Sequence, residues 1–140
     1  MAISGIVDRG SGAQRPVEAL GLVPVALHRS IERVAFPFNL KLEWETATDL
    51  FVARIESACP DLLIVDTDIL GCLSDLCSFA RSLRPGVKVF GLTCYWSERD
   101  EALLDCADAV LHKPPRQAQW EAVFAAAGIP RAATPARAAS

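Results

Sequence analysis

A concentration of charge of one sign is missing from this sequence. Lys and Arg number 14, Asp and Glu 17, and the net charge is −3, with the basic residues scattered along the chain. No basic stripe marks a nucleic-acid surface, so direct nucleic-acid binding is not expected. Long apolar runs are missing as well. Every hydrophobic stretch is broken by charge well short of the roughly 20 residues that a membrane-spanning helix needs. Residues 1 to 11 include Asp8 and Arg9 and no long apolar core, which excludes a secretory signal and points to the cytoplasm. There is no Cys-x-x-Cys pair. The five cysteines, Cys59, Cys72, Cys77, Cys94 and Cys106, are odd in number, and only His28 and His112 are there to assist them. Zinc-site spacing is therefore absent. The thiols read as reduced and mostly buried, behaving as small apolar residues.

What the sequence has in abundance is hydrophobic residues, 51% of 140. That is enough for one core and too little chain for two ordinary domains. Residues 1 to 15 hold Gly5, Gly10 and Gly12 and read as a loose leader. Residues 130 to 140 are Ala, Arg, Pro, Thr and Ser with one Pro-Arg start, and read as a disordered tail. The folded unit is expected over 16 to 129.

Within that unit the pattern alternates. Pro16 to Leu22 is a weak first strand, and Pro24 opens a helix at the place where a missing N–H costs nothing. Leu27, Ile31, Val34 and Ala35 follow at helical spacing until Pro37. Leu40, Leu42 and Trp44 alternate with Lys41, Glu43 and Glu45, as on a half-buried strand. Thr48 is the expected N-cap of the next helix. Leu62 to Val65 is apolar throughout, the mark of a central parallel strand buried on both faces. A helix through Leu73, Leu76, Phe79, Ala80 and Leu83 precedes a strand over Val87 to Leu92. Glu98 to Cys106 reads as a helix and Ala109 to Leu111 as a short strand. Trp120, Val123, Phe124 and Ala127 line a last helix, closed by Gly128. Five strands alternating with five helices predict an α/β fold, a doubly wound parallel sheet covered on both faces. Function in such sheets sits beyond the carboxyl ends of the strands.

Three of those ends carry chemistry. Asp66 ends the third strand, Thr93 the fourth and Lys113 the fifth. A carboxylate can accept a phosphoryl group, a hydroxyl can hold one of its oxygens, and an ammonium can neutralise another.

The stretch PDLLIVDTDILG resembles the phosphoacceptor segment of receiver (CheY-like) domains of bacterial two-component response regulators. VKVFGLT is similar to the receiver strand that ends in the switch threonine, and CADAVLHKPP to the last strand with its Lys-Pro. The resemblance covers roughly 16 to 128. It implies a flavodoxin-like (βα)5 fold, with Asp66 as phosphoacceptor and Thr93 and Lys113 as phosphate contacts. Receivers also carry an acidic pair after the first strand that binds Mg²⁺. Counting back from Asp66 places that pair near Gly21, Leu22 and Val23, none of them acidic, and Asp8 lies too far upstream. Val110 and Leu70 stand where receivers often have an aromatic residue and a proline. The resemblance therefore implies a degenerate receiver, not an enzyme, with Mg²⁺ binding weak or absent and phosphorylation weak or lost. Such a stand-alone module acts by binding a signalling protein, such as a histidine kinase, a phosphotransferase or a regulator. Tyr95, Trp96, Trp120 and Phe124 are candidate contacts, although Trp120 and Phe124 fit better as residues packed on the sheet. An alternative is a phosphorylatable receiver. Another is a phosphatase, since Asp66-Thr67-Asp68 is similar to the first motif of haloacid-dehalogenase-like enzymes, with Asp66 as nucleophile and Asp68 as general acid–base.

Overall fold

The computed structural model describes residues 15–70, 73–94 and 106–132. Its strands are β1 (Val17–Leu22), β2 (Leu40–Glu45), β3 (Leu62–Asp66), β4 (Lys88–Thr93) and β5 (Ala109–His112). Its helices are α1 (Val25–Ala35), α2 (Thr48–Ala58), the single turn α3 (Thr67–Leu70), α4 (Leu73–Leu83) and α5 (Gln117–Ala126). All four strand pairings are parallel, in the order β2-β1-β3-β4-β5. The expected helix over Glu98 to Cys106 lies outside the described residues except for Cys106, which sits in a turn.

The sheet separates two apolar layers, and strand periodicity decides which residue enters which. Ala19, Leu62, Ile64, Phe90 and Leu92 pack with Ile31 and Ala35 of α1 and with Trp120 and Phe124 of α5. Their neighbours along the strands, Leu20, Leu22, Leu63, Val65 and Val89, pack with Phe51 and Ile55 of α2 and with Leu73, Leu76 and Cys77 of α4. Successive residues of a strand point to opposite faces, so a central strand must be apolar at every position. All five residues of β3 are buried, and the four from Leu62 to Val65 are apolar for that reason. Burying a large apolar side chain such as Phe51, Phe90 or Phe124 contributes about 1.5–3 kcal/mol.

Several expectations change. Thr48 is the first helical residue of α2 rather than its cap. Ala47 holds the extended cap conformation, φ −115°, and no side chain caps the helix. Trp120 and Phe124 are buried at 2% and 0% exposure, with Phe124 edge-on to Phe38 at 4.9 Å. They pack in the core, in agreement with the reading preferred for these two residues. Tyr95 and Trp96 lie outside the described residues. Of the cysteines described, Cys77 is buried, Cys59 and Cys106 are partly so, and Cys94 is exposed, so the thiols are less buried than expected. Burial pushes the Cys77 thiol up to about 12, which suits a packing role.

Chain outside the predicted 16–129 unit also takes part. Arg131 forms an antiparallel bridge with Phe38, and its guanidinium lies 4.8 Å over the Phe38 ring. Asn39 donates its N–H to the Pro130 carbonyl at 2.8 Å, and Ala132 donates to that of Pro37 at 2.8 Å. The described structure thus runs three residues into the segment read as a tail.

Gly21 is the position on β1 where a side chain has no room. A Cβ there would lie 2.4 Å from the Trp44 ring. With no Cβ in the way, Trp44 lies over the strand and stacks on His28 with ring centroids 4.2 Å apart, while its indole N–H donates to Glu32 at 2.7 Å. This stack joins α1 to β2. Gly21→Val is expected to cost about 1–3 kcal/mol through overpacking and to change the near-ultraviolet dichroism of Trp44. An unchanged spectrum and denaturation midpoint would contradict this packing.

Candidate functional site

The strand order reverses between β1 and β3, which is where doubly wound sheets open a crevice at their carboxyl edge. Leu22 pairs with Val65, so one further step along the register sets Val23 opposite Asp66. Leu22 and Val23 are both fully buried. The residues that end β1 next to Asp66 are therefore apolar and buried. Asp8 lies outside the described residues.

Asp66 is the last residue of β3 and is fully buried. A buried carboxylate needs both a counter-charge and hydrogen bonds. It has both. Its Oδ2 accepts from the Lys113 ammonium at 2.6 Å, and its Oδ1 accepts from the Asp68 backbone N–H at 2.8 Å. The second bond opens α3, and Thr67 ties that turn to β4 by donating its hydroxyl to the Leu92 carbonyl at 3.0 Å.

Lys113 follows β5, and its side chain is 13% exposed. Its backbone N–H donates to the Thr93 carbonyl at 2.8 Å. Asp66 pairs with Leu92 and Thr93 with His112 across the strand ends, and Thr93 is buried at 2% exposure. The structure thus brings Asp66, Thr93 and Lys113 to one edge, in adjoining strands, with the Asp66–Lys113 contact made directly.

Asp68 is a fourth member that the sequence marked only in other roles. Its Oδ2 accepts from the Lys113 ammonium at 2.9 Å, so one ammonium bridges two carboxylates. Hydrogen bonding from Lys113 holds the Asp68 carboxyl below the usual carboxylate range. Burial works to lower the Lys113 pKa, but the hydrogen bonds the ammonium donates to Asp66 and Asp68 outweigh it, and the net shift is upward. Both groups are charged at neutral pH. A signal for Asp68 was present in the sequence: two carboxylates spaced i, i+2 across a turn, facing a strand-end lysine.

Two other buried or half-buried aspartates escaped the sequence reading. Asp61, 2% exposed, precedes β3. It accepts from the Glu18 backbone N–H at 2.9 Å and pairs with Arg84 and with Arg15. Asp108 precedes β5, accepts from the Val89 N–H at 2.7 Å and pairs with Arg81 at 3.0 Å. Both sit at the amino edge of the sheet, away from Asp66, and supply acceptors to strand N–H groups there.

No family model matches the chain, and no curated protein matches it. Solved structures do. A response regulator receiver protein from Burkholderia phymatum is 24% identical, with a TM-score of 0.62 over 85% of this chain and 100% of that one. A response regulator from Thermotoga maritima is 16% identical, with a TM-score of 0.69 over 81% of this chain and 98% of that one. The receiver domain of a sensor histidine kinase from Pseudomonas aeruginosa, solved with a magnesium ion coordinated in its active site cleft, is 17% identical, with a TM-score of 0.66 over 81% and 98%. The five-stranded parallel sheet, its order and the helices on both faces are those of the receiver fold.

Proposed function

We propose that the chain is a receiver-type signalling module that works by binding a partner protein, with phosphorylation at Asp66 weak or lost. One observation carries this reading: Asp66 is already neutralised by Lys113 at 2.6 Å beside the apolar Leu22 and Val23. The partner is a protein of a two-component or phosphorelay pathway, such as a histidine kinase, a phosphotransferase or a regulator. Among the described residues no helix is long and apolar enough to cross a membrane.

The donor set does not fit a magnesium ion. That ion takes oxygen ligands in tight octahedral geometry, usually through carboxylates with several waters. Here Oδ2 of Asp66 faces an ammonium and Oδ1 faces an N–H. Leu22 and Val23 bring no side-chain oxygen. Among the described residues no three His, Cys, Asp or Glu side chains gather as a metal-binding group. Weak or absent Mg²⁺ binding belongs to this reading, and so does slow phosphoryl transfer, which relies on a cation to offset developing charge.

The phosphatase alternative needs Asp68 as a proton donor. Its hydrogen bond from Lys113 holds it below the usual range, where it is a poor general acid at neutral pH. That observation favours a non-enzymatic module.

The test is intact mass after incubation with a small phosphodonor and Mg²⁺. The wild-type chain is expected to stay largely unmodified, and Asp66→Asn is expected to leave partner affinity nearly unchanged. Rapid stoichiometric phosphorylation with a large change in affinity would restore an ordinary phosphorylated receiver. Rapid release of phosphate from unrelated phosphoesters would favour the phosphatase.

A further inference from the structure

We infer that the C-terminal end of α1 is a docking surface for an acidic helical segment of a partner protein, built from Arg29, Arg33 and Phe36 and set at the opposite edge of the sheet from Asp66. That the occupant is a signalling partner rests on the function proposed above. The surface and the chemistry it selects rest on α1 alone.

Phe36 follows the last residue of α1 and is 85% exposed, whereas Phe38, two residues on, is buried. The backbone between them is pinned. Phe38 donates its N–H to the Ala35 carbonyl at 2.9 Å, and the Pro37 carbonyl accepts from Ala132 at 2.8 Å. The Phe36 ring is thus presented on a fixed turn, which lowers the ordering cost of using it in a contact. A lone exposed apolar side chain is ordinary. This one borders a shallow depression of about 420 Å³ whose other lining residues are Arg29, Glu32 and Arg33. Both arginines are exposed, and among the described residues neither has an ion pair. Glu32 is drawn towards β2, where it accepts the Trp44 indole N–H at 2.7 Å. In a chain of net charge −3, this face carries two unneutralised guanidinium groups beside a bare aromatic ring.

Charge complementarity names the occupant. A guanidinium fork matches a carboxylate in a two-point contact, and arginine with aromatic residues is enriched at protein interfaces. Arg29 and Arg33 are four residues apart, so they stand one turn apart on the same helix face. Two carboxylates one turn apart on a partner helix have the matching spacing, with an apolar side chain set over Phe36. An anionic membrane is the poorer match, since surface attachment by charge draws on clusters of about 4–8 basic residues. The position of the surface matters as well. Helix α1 runs 11 residues from the carboxyl edge of the sheet back to its amino edge, about 16 Å at 1.5 Å per residue. A segment seated at Arg29, Arg33 and Phe36 leaves Asp66 uncovered. Its affinity is then set without reference to the chemical state of Asp66.

The experiment is a chemical-shift titration of the full ¹⁵N-labelled chain with a synthetic helical peptide that carries a leucine stripe flanked by Glu pairs one turn apart. The amides from Arg29 to Phe36 are expected to shift, and those of Asp66 and Lys113 to stay in place. Arg29→Glu combined with Arg33→Glu should weaken binding about tenfold or more, and Phe36→Ser about fivefold or more. Both variants should keep the wild-type denaturation midpoint, because the altered side chains are exposed. Val25→Ser, at the other end of α1, should stay within about twofold of wild type. The inference is overturned if the Glu peptide leaves α1 unshifted, if a peptide with Lys in place of Glu binds equally well, or if the charge-reversed variant keeps its affinity. It is also overturned if Val25→Ser weakens binding as much as Phe36→Ser, or if vesicles of phosphatidylcholine and phosphatidylserine in equal parts shift α1 and the peptide does not. Rapid phosphorylation of the wild-type chain would reject the reading of Asp66 and still leave the shifts of α1 to decide the docking surface.

Discussion

Lys113→Met is expected to lower the stability of the chain by about 3–5 kcal/mol, the cost of leaving a buried charge without its partner. Met keeps most of the aliphatic stem, so the loss isolates the ammonium. Asp66 would keep its bond from the Asp68 N–H but would face buried Leu22 and Val23 with no counter-ion. The double variant Asp66→Asn with Lys113→Met should recover much of the loss, because the uncompensated carboxylate is then gone. Urea denaturation checks this: the midpoint should fall sharply in Lys113→Met and partly return in the double variant, with the slope unchanged. A change below about 1 kcal/mol in the single variant would show that the pair behaves as a surface contact. The sign of the pH dependence follows from the same geometry. Asp68 is held below its ordinary 3.8, so its contribution is present above that pH and is lost as pH falls through the lowered folded value. Lys113 is held above its ordinary 10.5, so its contribution is present below that pH and is lost as pH rises through the raised folded value. Lys113→Met should flatten both arms.

Asp61→Ala is expected to cost about 2–4 kcal/mol, combining lost charge-assisted hydrogen bonds with a backbone N–H left unsatisfied. The side chain is 3% exposed and serves Glu18 N–H, Arg15 and Arg84 together. The cost is set below that for Lys113 because the stranded groups differ. Removing Lys113 strands a sealed anion. Removing Asp61 leaves two arginines that reach solvent, with side chains 47% and 33% exposed. Asp61→Asn should lie between wild type and Ala, since its amide oxygen can still accept from Glu18. Denaturant midpoints that place Asn and Ala together at wild-type stability would show that the amino edge does not depend on this acceptor.

The strands were legible because their burial is two-sided or alternating. The run Leu62 to Val65 admits little but a central strand, and the Lys41, Glu43 and Glu45 alternation of β2 fits an edge. The meeting of Asp66, Thr93 and Lys113 followed from strand ends alone, since parallel order sets all three at one edge. The Thr48 cap was misread because a cap is defined by backbone conformation, and the extended residue is Ala47. Asp61 and Asp108 carried no sequence signal, because their roles depend on the backbone N–H groups of β1 and β4, at sequence separations of 43 and 19 residues, which no local pattern records. The Trp44 and His28 stack was hidden for the same reason, its one local sign being the glycine at position 21. Asp68 was visible as a residue but not as a partner of Lys113, because that ion pair requires the relative height of two strand ends.

The bridge between Arg131 and Phe38 fixes where the described chain leaves the domain. Phe38 precedes β2, so Ala132 departs at the amino edge of the sheet. Arg15, beside Asp61, enters at that same edge. Asp66 lies at the opposite edge, about 17 Å away along a five-residue strand rising roughly 3.3 Å per residue. Arg15 and Ala132 thus share one rim of the sheet, and the Asp66 rim is left to the loops that join strand ends to helices.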